Sequence, residues 1–220
     1  PVRNRIIPTI LEFMDRLSIN CVREELELPI PTDAGAMLLI EVDGDEALLR
    51  RQAETIKAVC LQGGALHFEA AANEEEAEQL WEARRNVSPS LFKLNPHKIN
   101  EDVVVPRSRM AALVSFLEQM AQEYHLPIAS FGHAGDGNIH VNIMLDKEDP
   151  EQLDHARIAV NRLFQKVIEF HGTLTGEHGI GITKAPYLEM EIPRPGLDLM
   201  VRIKKAFDPE GILNPGKIFL

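Results

Sequence analysis

Apolar and polar positions along the chain alternate between a helical and a strand-like period. From Ile7 to Leu17 the apolar residues stand at helical spacing, which predicts a first helix with Pro8 tolerated in its opening turn. Met37-Leu38-Leu39-Ile40-Glu41-Val42 predicts a strand closed by Asp43-Gly44. Asp45 to Leu61 predicts a helix with Leu48, Leu49, Ile56 and Val59 on its apolar face, ended by Gly63-Gly64. Ala65 to Ala71 reads as a second strand. Asn73 is placed to cap a long acidic helix, because Glu74, Glu75 and Glu76 suit the positive end of a helix dipole. That helix carries Trp81, Arg84 and Arg85 and is expected to run to about Ser88, where Pro89 breaks or bends it. Leu91 to Asn100 reads as a loop. Glu101 to Val105 predicts a third strand ended by Pro106, and Arg107 to Tyr124 a helix. Ile128 to His133 and Asn138 to Leu145 predict a hairpin. Pro150 opens a helix through Ile158, Val160, Leu163, Val167 and Phe170, stopped by Gly172. Arg194 to Ala206 gives a last helix before a turn-rich tail from Asp208 to Lys217.

This order of elements implies an α+β fold, with helices packed on one face of a mostly antiparallel sheet. The other face, which carries His133 and His140, is then free to meet a ligand or a second domain. With 220 residues, 45% of them hydrophobic, the chain can bury a sizeable core. The net charge of −11 and the lack of a basic run argue against a nucleic-acid surface. An anionic substrate would need a local cationic pocket. Cys21 and Cys60 form no close-spaced metal motif; two reduced thiols in a cytoplasmic protein is the simpler reading, with one disulfide the alternative. No apolar run approaches the ~18 residues of a membrane span, and no signal peptide is seen. The first residue is Pro1 rather than an initiator Met, so the chain reads as a piece of something longer.

Chemistry concentrates in two stretches. In Ser130-Phe131-Gly132-His133-Ala134-Gly135-Asp136-Gly137-Asn138-Ile139-His140-Val141-Asn142, Asp136-Gly137 signals a type I′ turn. A two-residue turn would set Gly135 opposite Asn138 and His133 opposite His140. Asn142, two residues on, shares the face of His140. In Thr175-Gly176-Glu177-His178-Gly179-Ile180-Gly181, glycines surround an adjacent Glu and His, so the backbone can bend to use both. Two His and one carboxylate form a common divalent-metal set, and the extra His is free to act as an acid or base. The alternative for each stretch is polar residues facing water on an edge strand or a flexible loop.

Gly132-His133-Ala134-Gly135-Asp136-Gly137-Asn138-Ile139-His140, Gly176-Glu177-His178-Gly179-Ile180-Gly181, and Phe207-Asp208-Pro209 through Asn214-Pro215-Gly216-Lys217 together resemble the C-terminal domain of FAD-linked oxidases. These are vanillyl-alcohol-oxidase-type flavoproteins. By pattern the chain resembles the D-2-hydroxyacid dehydrogenases: the glycolate oxidase D subunit, D-lactate dehydrogenase and D-2-hydroxyglutarate dehydrogenase. The resemblance covers nearly the whole chain. It implies a ferredoxin-like α+β cap domain spanning residues 1–220, with the FAD-binding domain upstream and absent. Consistent with that, the sequence shows no Rossmann fingerprint or P-loop.

Carried over by residue, the resemblance implies that His133, His140 and Glu177 are ligands of a divalent metal (Zn, Mn or Fe). It implies that His178 is the base for the α-hydroxyl proton. Arg84 would hold the substrate carboxylate, with Ser88 beside it, Asn142 touching substrate and Lys98 a looser candidate. Asn214 would approach the flavin. The implied activity is oxidation of a small D-2-hydroxyacid to the 2-oxoacid with FAD as acceptor. The implied electron acceptor is an iron–sulfur subunit, a flavoprotein or a quinone. The implied location is cytoplasmic, or peripheral to the inner membrane, and a homodimer is among the implied states. Two rivals carry different chemistry. A free-standing metal hydrolase or oxygenase would work without flavin. A non-catalytic ferredoxin-like interaction module would hold no metal.

Overall fold

In the computed structural model, which describes residues 6–23 and 30–219, one antiparallel sheet of five strands runs in the order β2-β1-β4-β5-β3. The strands are β1 (Ile10–Asp15), β2 (Ala36–Glu41), β3 (His97–Val104), β4 (Ile128–His133) and β5 (Asn138–Leu145). The helices are α1 (Arg16–Val22), α2 (Glu46–Gln62), α3 (Glu74–Ser90), α4 (Met110–Tyr124), α5 (Pro150–Glu169) and α6 (Arg194–Phe207). Side-chain alternation along β5 divides the core in two. Ile139, Val141 and Ile143 point to one face, where they meet Leu113, Leu117 and Met120 of α4 and Leu163, Phe164 and Val167 of α5. His140, Asn142 and Met144 point to the other. There Met144, Ala129 and Phe131 pack with Met14 and with residues of α1 and α3, including Ile19, Val22 and Val87. The helices α1 and α3 therefore cover only the part of that face away from the β4–β5 turn. The His-bearing end is left to the loop after α5, with the His133 side chain partly exposed.

The α+β antiparallel architecture is as the sequence indicates, and most elements form where expected. Asn73, Asp45 and Asp149 cap α3, α2 and α5, each accepting from a backbone N–H of the first turn. Cys21 and Cys60 are free thiols. Among the described residues no helix is long and apolar enough to cross a membrane.

Five expectations need correction. Helices expected on one face of the sheet pack on both, α4 and α5 on one and α1 and α3 on the other. The helix expected over residues 7–17 is instead β1 followed by α1; residues 1–5 lie outside the described residues. Its apolar run lies in the sheet interior, paired on both edges with β2 and β4. A strand buried on both faces loses its alternation and mimics a helical pattern. Asp15 then caps α1 through Ser18 N. The strand expected over residues 65–71 does not form, because that segment lies exposed beside no sheet edge. The loop expected over residues 91–100 already contains the start of β3, where His97 pairs with Leu145. The polar residues of an edge strand hid that start. Finally, the hairpin register differs by two residues: His133 pairs with Asn138, and Phe131 with His140.

Candidate functional site

The register change leaves the site intact, since a shift of two keeps every side chain on its face, whereas a shift of one would invert them. Residues 134–137 form the turn, closed by Gly137 N donating to His133 O at 3.0 Å and Asn138 N to Asp136 Oδ1 at 3.0 Å. Gly137 has φ +90°, and a Cβ there would lie 2.1 Å from Val105 O. Only glycine fits both constraints.

Strand pairing lays the polar residues out in rows across the sheet. Glu12 of β1 sits opposite His133 of β4. In the next row Phe131 sits opposite His140, and His140 opposite Asp102 of β3. Further on, Asn142 pairs with Asn100, and Met144 with Lys98. The loop after α5 then comes over this face. Its Glu177 Oε1 stands 3.3 Å from His140 Nε2 and 3.8 Å from His178 Nε2. The rings of His133 and His140 are 5.5 Å apart edge to face, and those of His140 and His178 5.5 Å apart and stacked. One ligand atom from each of His133, His140 and Glu177 falls within 4.8 Å of the others.

Buried carboxylates organise the cluster from below. Glu12 contacts His133 Nδ1 with one oxygen and receives Arg84 Nε and Nη2 at 2.8 Å with the other. With Nδ1 engaged, Nε2 of His133 is left to face a ligand. Asp102 is fully buried and accepts the backbone N–H groups of Gly176 (2.5 Å), Glu177 (2.7 Å) and His178 (2.8 Å). Burial alone would raise its pKa, but these N–H groups and the nearby Lys184 ammonium hold the carboxyl down at about 2. Lys184, itself buried, donates to Asp102 O at 2.7 Å and Leu174 O at 2.8 Å, and lies 3.5 Å from Asp102 Oδ1. Burial pushes the His140 imidazole down from its ordinary value; Glu177 opposes this, while His133, His178 and Arg84 reinforce it. The neutral ring is the form that ligates metal.

The structure thus gathers His133, His140, Glu177 and His178, with Arg84 beside them, its guanidinium 4.6 Å from the Phe131 ring centre. Ser88, one turn along α3 from Arg84, accepts Lys98 Nζ at 2.7 Å. Burial lowers the Lys98 pKa. Asn142 is fully buried and accepts Asn100 Nδ2 at 2.7 Å. Asn214 lies in the exposed tail with φ 45°. Four residues on, Ile218 N donates to Gly181 O at 2.7 Å, so the tail runs back beside the 176–181 loop.

Glu12, Asp102 and Lys184 escaped the sequence reading. The only signal for Glu12 was a lone carboxylate in the apolar run Ile10-Leu11-Glu12-Phe13-Met14. Asp102 and Lys184 carry no local signal at all, because their partnership spans 82 residues.

The donor set, two imidazoles and one carboxylate, suits Zn, Mn or Fe. Glu177, 53% exposed, is free to close on an ion. Flavin is a different matter. The cleft beside Glu12 and His133 encloses about 230 Å³, below the ~300–1,000 Å³ typical of ligand pockets. That cleft is too small to enclose a dinucleotide.

Comparison with known proteins shows the family. The family described as FAD linked oxidases, C-terminal domain, matches residues 2–218. Glycolate oxidase subunit GlcD of Bacillus subtilis is 44% identical over 215 residues, covering 98% of this chain and 46% of that protein. A D-lactate dehydrogenase of Anaerostipes hadrus is 32% identical over 227 residues, covering 98% and 47%. The chain therefore spans about half the length of these relatives. Among solved structures, 4-ethylphenol oxidase from Gulosibacter chungangensis, in complex with isoeugenol, superposes with a TM-score of 0.64 at 18% identity. It covers 95% of this chain and 47% of that one, a likeness of fold alone.

Proposed function

Because the chain belongs to the family of FAD-linked oxidase C-terminal domains, we propose that it is the substrate-side domain of a flavin-dependent enzyme oxidising a small 2-hydroxyacid to the 2-oxoacid. The observation that carries this reading is the convergence of His133, His140 and Glu177 within 4.8 Å, with His178 stacked against them at 5.5 Å. In this reading FAD is held chiefly by a domain outside these residues, with Asn214 near it, and when bound accepts the two electrons of the oxidation. A divalent cation held by His133, His140 and Glu177, when bound, makes the substrate's hydroxyl more acidic.

The chain's own residues do the rest. His178 takes the hydroxyl proton. Its ring stands 3.8 Å from Glu177 Oε1 and 3.9 Å from Asp102 Oδ2. Glu12 fixes the orientation of His133 and Arg84. Arg84 draws the substrate carboxylate to this end of the face, presenting parallel donors. Asn142 lines the floor, and the Ser88–Lys98 pair lies farther along, where a longer substrate would reach. The domain spans the whole chain and works in the cytoplasm or at the inner-membrane surface. It passes electrons to an iron–sulfur subunit, a flavoprotein or a quinone, as a monomer or a homodimer.

Two measurements test this. The protein that contains this domain together with its flavin domain should purify yellow and bleach with glycolate or D-lactate; no bleaching with any 2-hydroxyacid would count decisively against the reading. The 220-residue chain should hold near-stoichiometric Zn, Mn or Fe that His133→Ala loses. A chain that hydrolyses or oxygenates substrates with no flavin present would favour the hydrolase rival instead.

A further inference from the structure

Resting on that reading of the site, we propose that Asp102 is a positioning residue: its buried carboxylate gathers the N–H groups of Gly176, Glu177 and His178 and thereby aims Glu177 at His140. Within residues 176–178 all three backbone N–H groups go to Asp102. Residues 176–179 form neither helix nor strand, and Glu177, His178 and Gly179 are exposed. Three successive N–H groups turned onto one anion make a concave nest, the arrangement by which backbones bind free anions. Here the anion belongs to the chain and comes from β3, in register with His140. Asp102 is thus paired through its strand with His140 and through its carboxylate with the loop.

Two further features belong to this device. Lys184 binds Asp102 O and Leu174 O, tying the strand to the start of the loop while supplying a counter-charge. Gly176 passes so close to β5 that a Cβ would lie 2.2 Å from Asn138 Nδ2. A side chain at 176 would have to displace the Asn138 amide, so glycine eases the loop's approach to Asp102.

The test uses Asp102→Asn in the 220-residue chain. An amide turns an NH2 toward N–H groups that need an acceptor. Two readouts are taken: hydrogen exchange of the 176–178 amides without metal, and Co²⁺ affinity by calorimetry. We expect exchange at 176–178 to quicken at least tenfold while α4 and α5 keep their protection. Co²⁺ affinity should fall roughly 10–100-fold, as for other groups that orient ligands. Unchanged exchange at 176–178 overturns the proposal, whatever the metal does. Quickened exchange with unchanged Co²⁺ affinity also overturns it, since the loop would then not be aiming a ligand. If the parent chain binds no Co²⁺ at all, the metal reading fails, while quickened exchange still supports Asp102 as the loop's anchor. Should Asp102→Asn fail to fold, Gly176→Ala lifts the loop without touching the carboxylate, and the same pair of effects is expected.

Discussion

At the scale of single residues, the site depends on buried charges whose partners are far away in sequence. Glu12 stands between Arg84 and His133 with its side chain only 5% exposed. Glu12→Gln keeps the shape but leaves the guanidinium without its carboxylate. Losing a buried charged partner costs about 1–3 kcal/mol, so the urea midpoint should fall accordingly. Asp102 gives a pH signature. Its pKa is lowered from 3.8 to about 2, so it stabilises the fold above pH 4, and that contribution is lost as pH falls through the folded value. The stability gap between the parent chain and Asp102→Asn should be about 2 kcal/mol near neutrality and close toward zero by pH 2. Comparing the two proteins by urea denaturation across that range cancels the other carboxylates. A gap that stays constant with pH would show that the carboxylate's charge is not what stabilises the loop.

At the scale of elements, the β4–β5 hairpin places one histidine at the turn and the other within the sheet. Its turn tolerates only glycine at 137, where both the φ of +90° and the 2.1 Å approach to Val105 O exclude a side chain. Gly137→Ala should cost at least the ~1–3 kcal/mol typical of backbone strain and shift the melting temperature downward. Helix α5 backs the opposite face, and Asp149 caps it by accepting from Glu151 N at 3.0 Å and Gln152 N at 3.4 Å. Asp149→Ala should lose about 1 kcal/mol by the same measurement, with metal content unchanged. The strand β1 shows why element type was hard to read. Ile10, Leu11, Phe13 and Met14 satisfy a helical spacing as well as a buried strand, and the two neighbouring strands that decide between them lie elsewhere in the chain.

At the scale of the whole molecule, α6 and the tail present apolar surface. Phe207 is 84% exposed at the end of α6, with Ile203, Ile212 and Leu213 exposed nearby. Surface of this kind promotes association in solution. Sedimentation of the 220-residue chain should show self-association that Phe207→Asp reduces. Its melting temperature should hold, because exposed substitutions move stability by only about 0.5 kcal/mol.

The ingredients of the site were legible in the chain: the glycine-flanked His133, His140 and Glu177-His178 carry their chemistry in residue type and local spacing. So were α2 to α6, whose periods are local, with Asn73 capping α3. Even the misjudged hairpin register kept its face, because side chains alternate with a period of two. What only the tertiary structure decided is which carboxylates serve the site. Glu12 meets His133 across 121 residues, and Asp102 meets the 176–178 amides across 74 to 76. Pairings at such separation are set by strand order and by burial that forces each charge to find a partner, and neither is written in any local stretch.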